Sequence, residues 1–149
     1  MITIDLEFDE ESFGNFSEAI DQAAGDAMQL SVDYVAREAK GIAPVKTGAL
    51  VASIQGGAIS GSFIGGSLEG QVNALAPYAA FVNYGTRPHV IEPISRKALR
   101  FPNSRGPGFA FAKRVMHPGT KAQPFLDPEQ YAEPISEIFT DAINLALDK

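Results

Sequence analysis

Residues 2–8 alternate apolar and polar side chains, with Ile2, Ile4, Leu6 and Phe8 set against Thr3, Asp5 and Glu7. A period of two predicts a half-buried strand. From residue 16 the period becomes helical. Phe16, Ile20, Ala23, Ala27, Leu30 and Tyr34 fall on one stripe, and Met28, Val32, Val35, Ala39 and Ile42 on its neighbour. A helix over 16–42 would therefore carry an apolar face wide enough to be buried from two directions. Six alanines between residues 19 and 39 would let a neighbouring element come close, and Gly41 and Pro44 mark its end.

Shorter patterns follow. Apolar runs at 50–54, 63–64 and 72–75 read as strands, with Gly56-Gly57 and Gly65-Gly66 as turns between them. Residues 77–84 suit a short helix or an irregular strand end. Residues 88–116 read as a long excursion with strands at 89–91, 98–101 and 109–115. Its tip, P-N-S-R-G-P-G at 102–108, has the makeup of an exposed loop, and mobility is expected within 86–122. A second helix begins after Asp127. Asp127 suits the N-cap, Pro128 the first helical position and Gln130 the capping-box position. Tyr131, Ile135, Ile138, Ala142 and Leu145 supply its apolar face, and Pro134 inside it predicts a restart or kink. The expected architecture is one α+β domain over 1–149. A small antiparallel sheet is flanked by the long N-terminal helix and the C-terminal helix, and a long hairpin-like excursion leaves it.

Charge changes this picture. The net charge of −6 divides unevenly. Residues 1–40 hold ten acids and two bases, residues 41–122 two acids and nine bases, and residues 123–149 six acids and one base. Acidic ends around a basic middle suit pairing within the chain or between subunits, or a basic surface near nucleic acid. Arg87, Arg96, Lys97, Arg100, Arg105, Lys113, Arg114 and Lys121 gather around the excursion, interleaved with Phe101, Phe109 and Phe111. That combination could track a nucleic-acid backbone. The plainer reading, for a chain that is acidic overall, is a loop whose charged side meets an acidic partner.

Catalytic chemistry finds no foothold. There is no cysteine, which excludes disulfides and thiolate metal sites. His89 and His117 lack metal-ligand spacing, and the run G-G-A-I-S-G-S-F-I-G-G lacks the lysine of a phosphate loop. No nucleophile elbow is present. No catalytic, cofactor or metal residue is assigned. The acidic N-terminus does not resemble a signal peptide. The apolar runs fall far short of the roughly 20 residues that cross a membrane, so no membrane partner is expected. What does recur is a turn device. Thr47-Gly48, Gly85-Thr86 and Gly119-Thr120 each join a glycine, free to take left-handed backbone, to a hydroxyl that can bond nearby backbone. The three are expected to bracket one β-rich core.

Those turns lie inside three longer motifs. The first contains Ala43, Pro44, Val45, Thr47, Gly48, Leu50, Ser53 and Ile54; the second Tyr78, Ala79, Val82, Gly85 and Thr86; the third His117, Pro118, Gly119, Thr120, Pro124, Phe125 and Leu126. Their order, after a long helix and before another, resembles the gene-product-ten-like tail-component family of long-tailed bacteriophages, also described as neck or head–tail connector proteins. Asn83 stands where that family usually has an acid. The resemblance spans roughly residues 14–147. It implies a non-enzymatic virion protein, made in the host cytoplasm and placed at the head–tail junction. Copies would form a ring, six-fold, beside head-completion and tail-terminator or tail-tube proteins. Arg87, Arg96, Lys97, Arg100 and Arg105 are the residues expected to meet a neighbour or channel DNA. Phe125 and Leu126 are expected to anchor the last helix to the core. A tail terminator and a free nucleic-acid-binding module are the alternatives.

Overall fold

The computed structural model describes residues 10–103 and 106–148. The strand expected at 2–8 lies outside them, as does Arg105. The chain divides into two compact units, one running to Ala76 and resuming at Phe125, the other Pro77–Pro124.

The first unit is built on α1, Glu10–Ile42. It begins before the expected start and ends where Gly41 and Pro44 predict, with the Ala43 amide bonded to the Ala39 carbonyl at 2.9 Å. Its buried line is Ile20, Ala24, Ala27, Ser31, Val32, Val35, Ala36 and Ala39, whereas Phe16, Leu30 and Ile42 are exposed. The expected stripes are thus shifted toward the small residues. The other long helix, α4 (Pro128–Leu147), packs along α1, and alanines are what let two helix backbones approach. The Ser31 hydroxyl, buried among them, donates to the Ala27 carbonyl at 2.7 Å, so no polar atom is stranded.

Helix α4 starts as its sequence requires. Asp127 is extended and its carboxylate accepts from the Glu129 amide at 3.2 Å, one position earlier than a capping box would have it. Pro134 lies inside the helix, which runs on through it. Ahead of the cap, Phe125 is 1% exposed, and its carbonyl accepts a 2.7 Å hydrogen bond from the buried Tyr131 hydroxyl. Phe125 and Ile54 are the largest fully buried side chains. Each contributes about 1.5–3 kcal/mol by leaving water.

Between the helices the strands form short antiparallel ladders rather than one sheet. In the first unit β1 (Ile54–Gly56) pairs with β4 (Val72–Ala74), and β2 (Ser60–Ser62) with β3 (Ser67–Glu69). Residues 50–54, expected to be a strand, are mostly helix: α2 spans Ala49–Ser53, and only Ile54 begins β1. Gly48 at φ 78° reverses the chain, and its carbonyl takes the Ala52 amide at 2.9 Å. Leu50 is then buried on the helical turn. Phe63 and Ile64 likewise sit in the β2–β3 turn instead of a strand. That turn is tied to α1 through Asp21, whose carboxylate accepts from the Ser62 hydroxyl at 2.9 Å and the Ile64 amide at 3.0 Å.

The second unit holds α3 (Ala79–Tyr84) and a doubled hairpin. Its outer ladder pairs β5 (His89–Ile91) with β8 (Val115–His117), and its inner ladder pairs β6 (Leu99–Pro102) with β7 (Phe109–Ala112). The α+β architecture with a hairpin-like excursion therefore holds. The strand expected at 109–115 is broken into two by a bend at Lys113 and Arg114.

Candidate assembly surface

The second and third motifs meet at the base of the excursion. Thr86 and Thr120 form an isolated antiparallel bridge, each amide bonded to the other's carbonyl at 3.0 and 3.1 Å. Their hydroxyls lie 3.0 Å apart, and the Thr86 hydroxyl also accepts from the Thr120 amide at 3.0 Å. The neighbouring glycines are obligatory. Gly85 has φ 72°, and a Cβ on it would stand 2.6 Å from the Thr120 carbonyl oxygen. Gly119 has φ 87°, and a Cβ on it would collide with the Thr86 carbonyl oxygen. Each Gly-Thr step thus closes on the other. Thr47-Gly48 does not join them: it belongs to the other unit, where it launches α2. The three turns do not bracket one core.

His89 and His117 are also brought together. Their rings stack with centroids 5.0 Å apart, opposite one another in the β5–β8 register. His89 Nδ1 lies 2.9 Å from the Arg87 carbonyl, which can only accept, so this nitrogen carries a proton. His117 Nδ1 accepts from the Gly119 amide at 3.1 Å. Both rings are spent on holding the corner. Together with Thr86, Thr120, Tyr78 and Phe81 they line a hollow of about 360 Å³. Pro118 beside them is exposed. Two isolated histidines gave no sign of this pairing in sequence; only the strand register does.

The basic residues are placed less uniformly. Arg87, Arg96, Lys97 and Arg100 are all exposed. Arg87 follows the bridge, Arg96 and Lys97 lead into β6, and Arg100 lies on it. The Arg100 guanidinium sits 3.6 Å from the centroid of the Phe109 ring, a cation–π contact. In the register Arg100 opposes Phe111 and Pro102 opposes Phe109, so these four share one face of the inner ladder. Phe109 and Phe111 are 53% and 68% exposed. Arg114 pairs with Glu92 at 3.5 Å, both exposed, a contact worth little in water.

The first unit has an apolar surface of its own. Between α1 and α4 runs a groove of about 660 Å³, lined by Ala19, Ala23, Ala27, Ala142 and Ala146. Leu30 and Leu145 line it and are 58% and 64% exposed, while Asp26 and Asp141 also line it. On a separate face of the same unit, Leu126 lines a smaller hollow with Val32, Val35 and Tyr131. No His, Cys, Asp or Glu cluster among the described residues is arranged to hold a metal ion. No helix among them is long and apolar enough to cross a membrane.

Apolar and charged surfaces of this kind suit assembly. A family model described as "Bacteriophage HK97-gp10, putative tail-component" matches residues 10–85, just over half of the chain. The chain belongs to the HK97 gp10-like family of phage tail components. The match runs from the start of α1 to Gly85, so it takes in the first motif and nearly all of the second, while the third lies beyond it. Within it Asn83 is buried. No curated protein and no solved structure matches the chain. As a tail component of a phage, this HK97 gp10-like protein belongs to the virion.

Proposed function

We propose that this tail component is a non-enzymatic neck or tail-completion protein that forms a ring, six-fold, at the head–tail junction and helps join the tail to the head. The observation that carries the reading is the division of surface. A basic, aromatic hairpin stands on one unit and an acid-bearing apolar groove on the other. In a ring each interface is heterologous, so one patch must meet a different patch on the next copy. Arg87, Arg96, Lys97, Arg100 and Arg105 are the residues assigned to a neighbour or to DNA in the channel. Head-completion and tail-terminator or tail-tube proteins are the adjoining partners.

Electron microscopy of lysates from a phage lacking this gene tests the reading. Heads lying beside unattached tails of normal length are the expected result. Tails of abnormal length would instead make the protein a tail terminator. Normal, infectious particles would overturn the assembly role and bring forward a nucleic-acid-binding module.

A further inference from the structure

We propose that the inner hairpin of one copy docks in the α1–α4 groove of a second copy, with Phe109 and Phe111 entering between Leu30 and Leu145 and Arg100 facing Asp26 and Asp141. This inference rests on the ring reading and names the two surfaces that would make its interface.

The hairpin side of the contact is unusual for a free surface. A two-stranded ladder is marginal on its own, yet this one turns two phenyl rings and an arginine outward together. Aromatic and Arg side chains are the residue types that dominate interface hot spots. The groove side is the counterpart in shape. Its alanine lining leaves about 660 Å³ open, inside the roughly 300–1,000 Å³ range of sites that swallow apolar groups. Leu30 and Leu145 offer apolar walls that the isolated chain leaves in water.

Charge then selects the occupant. Asp26 and Asp141 are the charged residues lining the groove, and α4 adds Glu133 and Glu137 in a hollow shared with Asp141. Arg96, Lys97 and Arg100 on one arm of the excursion and Lys113 just after β7 are exposed cations. Arg100 reaches the aromatic face itself. A basic aromatic finger and an acid-lined apolar slot on the same sequence are complementary, which sets register and steers encounter. The two patches differ, so the contact propagates head to tail and closes into a ring when the rotation allows.

The chain has no cysteine, which makes cross-linking specific. Two single-cysteine variants with different tags, Lys113→Cys on the hairpin flank and Gln22→Cys at a residue that lines the groove, would be co-expressed during infection in place of the wild-type gene. Particles would be treated with a short bismaleimide. The expected result is a linked dimer carrying both tags, abundant only when both variants are present. Arg100→Glu in the Lys113→Cys chain should lower its yield several-fold, and Asp141→Arg in the Gln22→Cys chain should restore it. Infectious particles containing both tags but no mixed dimer would overturn the docking while leaving the ring intact. A link formed within a chain carrying both cysteines, but never between chains, would overturn it too. Absence of the protein from purified particles would overturn the ring reading and the docking together.

Discussion

The two units are stabilised by different means. Among the described residues, the buried apolar side chains belong to the first unit, with Ala79 the exception. Its helices are held by a row of alanines, by Val32 and Val35, and by Phe125 and Ile54. The second unit is fastened by backbone geometry instead: the Thr86–Thr120 bridge, two left-handed glycines and a stacked histidine pair. It spends its large apolar residues on the outside, with Phe81, Tyr84, Phe109, Phe111 and Met116 exposed. A core stabilises a fold by itself, whereas outward aromatics gain their stabilisation only when something covers them. The difference points to one unit as platform and the other as contact.

Removing the platform's largest buried side chain should have the largest effect. Phe125→Ala should cost about 3–5 kcal/mol of unfolding free energy, read by denaturant titration. A variant as stable as the wild type would mean that the first unit is not held by its core. The counterpart in the second unit is Gly119→Ala. The added Cβ meets the Thr86 carbonyl oxygen at left-handed φ, which should cost about 1–3 kcal/mol locally. Hydrogen exchange should quicken at the Thr86 and Thr120 amides and stay unchanged along α1. Faster exchange in α1 to the same extent would erase the distinction between the units.

How much of this was legible in sequence follows the same division. The end of α1, the Asp127 cap and the apolar face of α4 are local features, and each could be read from residues within one or two turns. The Gly-Thr devices were legible as turns. That Gly85-Thr86 closes on Gly119-Thr120 was not, because the pairing joins residues 34 apart and is set by strand register. The run at 50–54 misled because a short apolar stretch fits a strand or a buried helical turn equally well. Leu30 and Phe16 fitted the helical period, but α4 packs along the alanines, leaving those larger side chains outside. Of the site, the arginines and phenylalanines were visible as a composition. That Arg100, Phe109 and Phe111 share one face of β6–β7 needed the register.

Two smaller effects arise at Asp21 and Phe111. Asp21 accepts from the Ile64 amide and the Ser62 hydroxyl, in that order of importance, and these hold its carboxyl below the usual carboxylate range. A carboxyl depressed in the folded state stabilises fully above its unfolded value and loses that contribution as pH falls through the folded one. The β2–β3 turn should therefore loosen from α1 only in acid, seen as a pH-dependent shift of the Ile64 amide resonance. Asp21→Asn should abolish that titration; a shift that persists in it would assign the effect elsewhere. Smallest of all should be the effect of Phe111→Ser on the free protein, within about 0.5 kcal/mol of wild type, since the ring is exposed. The same variant should nonetheless fail to complement a deletion. Loss of stability with normal complementation would make Phe111 a folding residue and not a contact.

Whether the excursion and the α1–α4 groove are covered on assembly can be read from hydrogen exchange of the protein free in solution and within purified particles. New protection on assembly is expected in β6 and β7 and along the groove-facing parts of α1 and α4, with little change on the already buried face of α1. Equal exchange in the two states at the hairpin and the groove would contradict it.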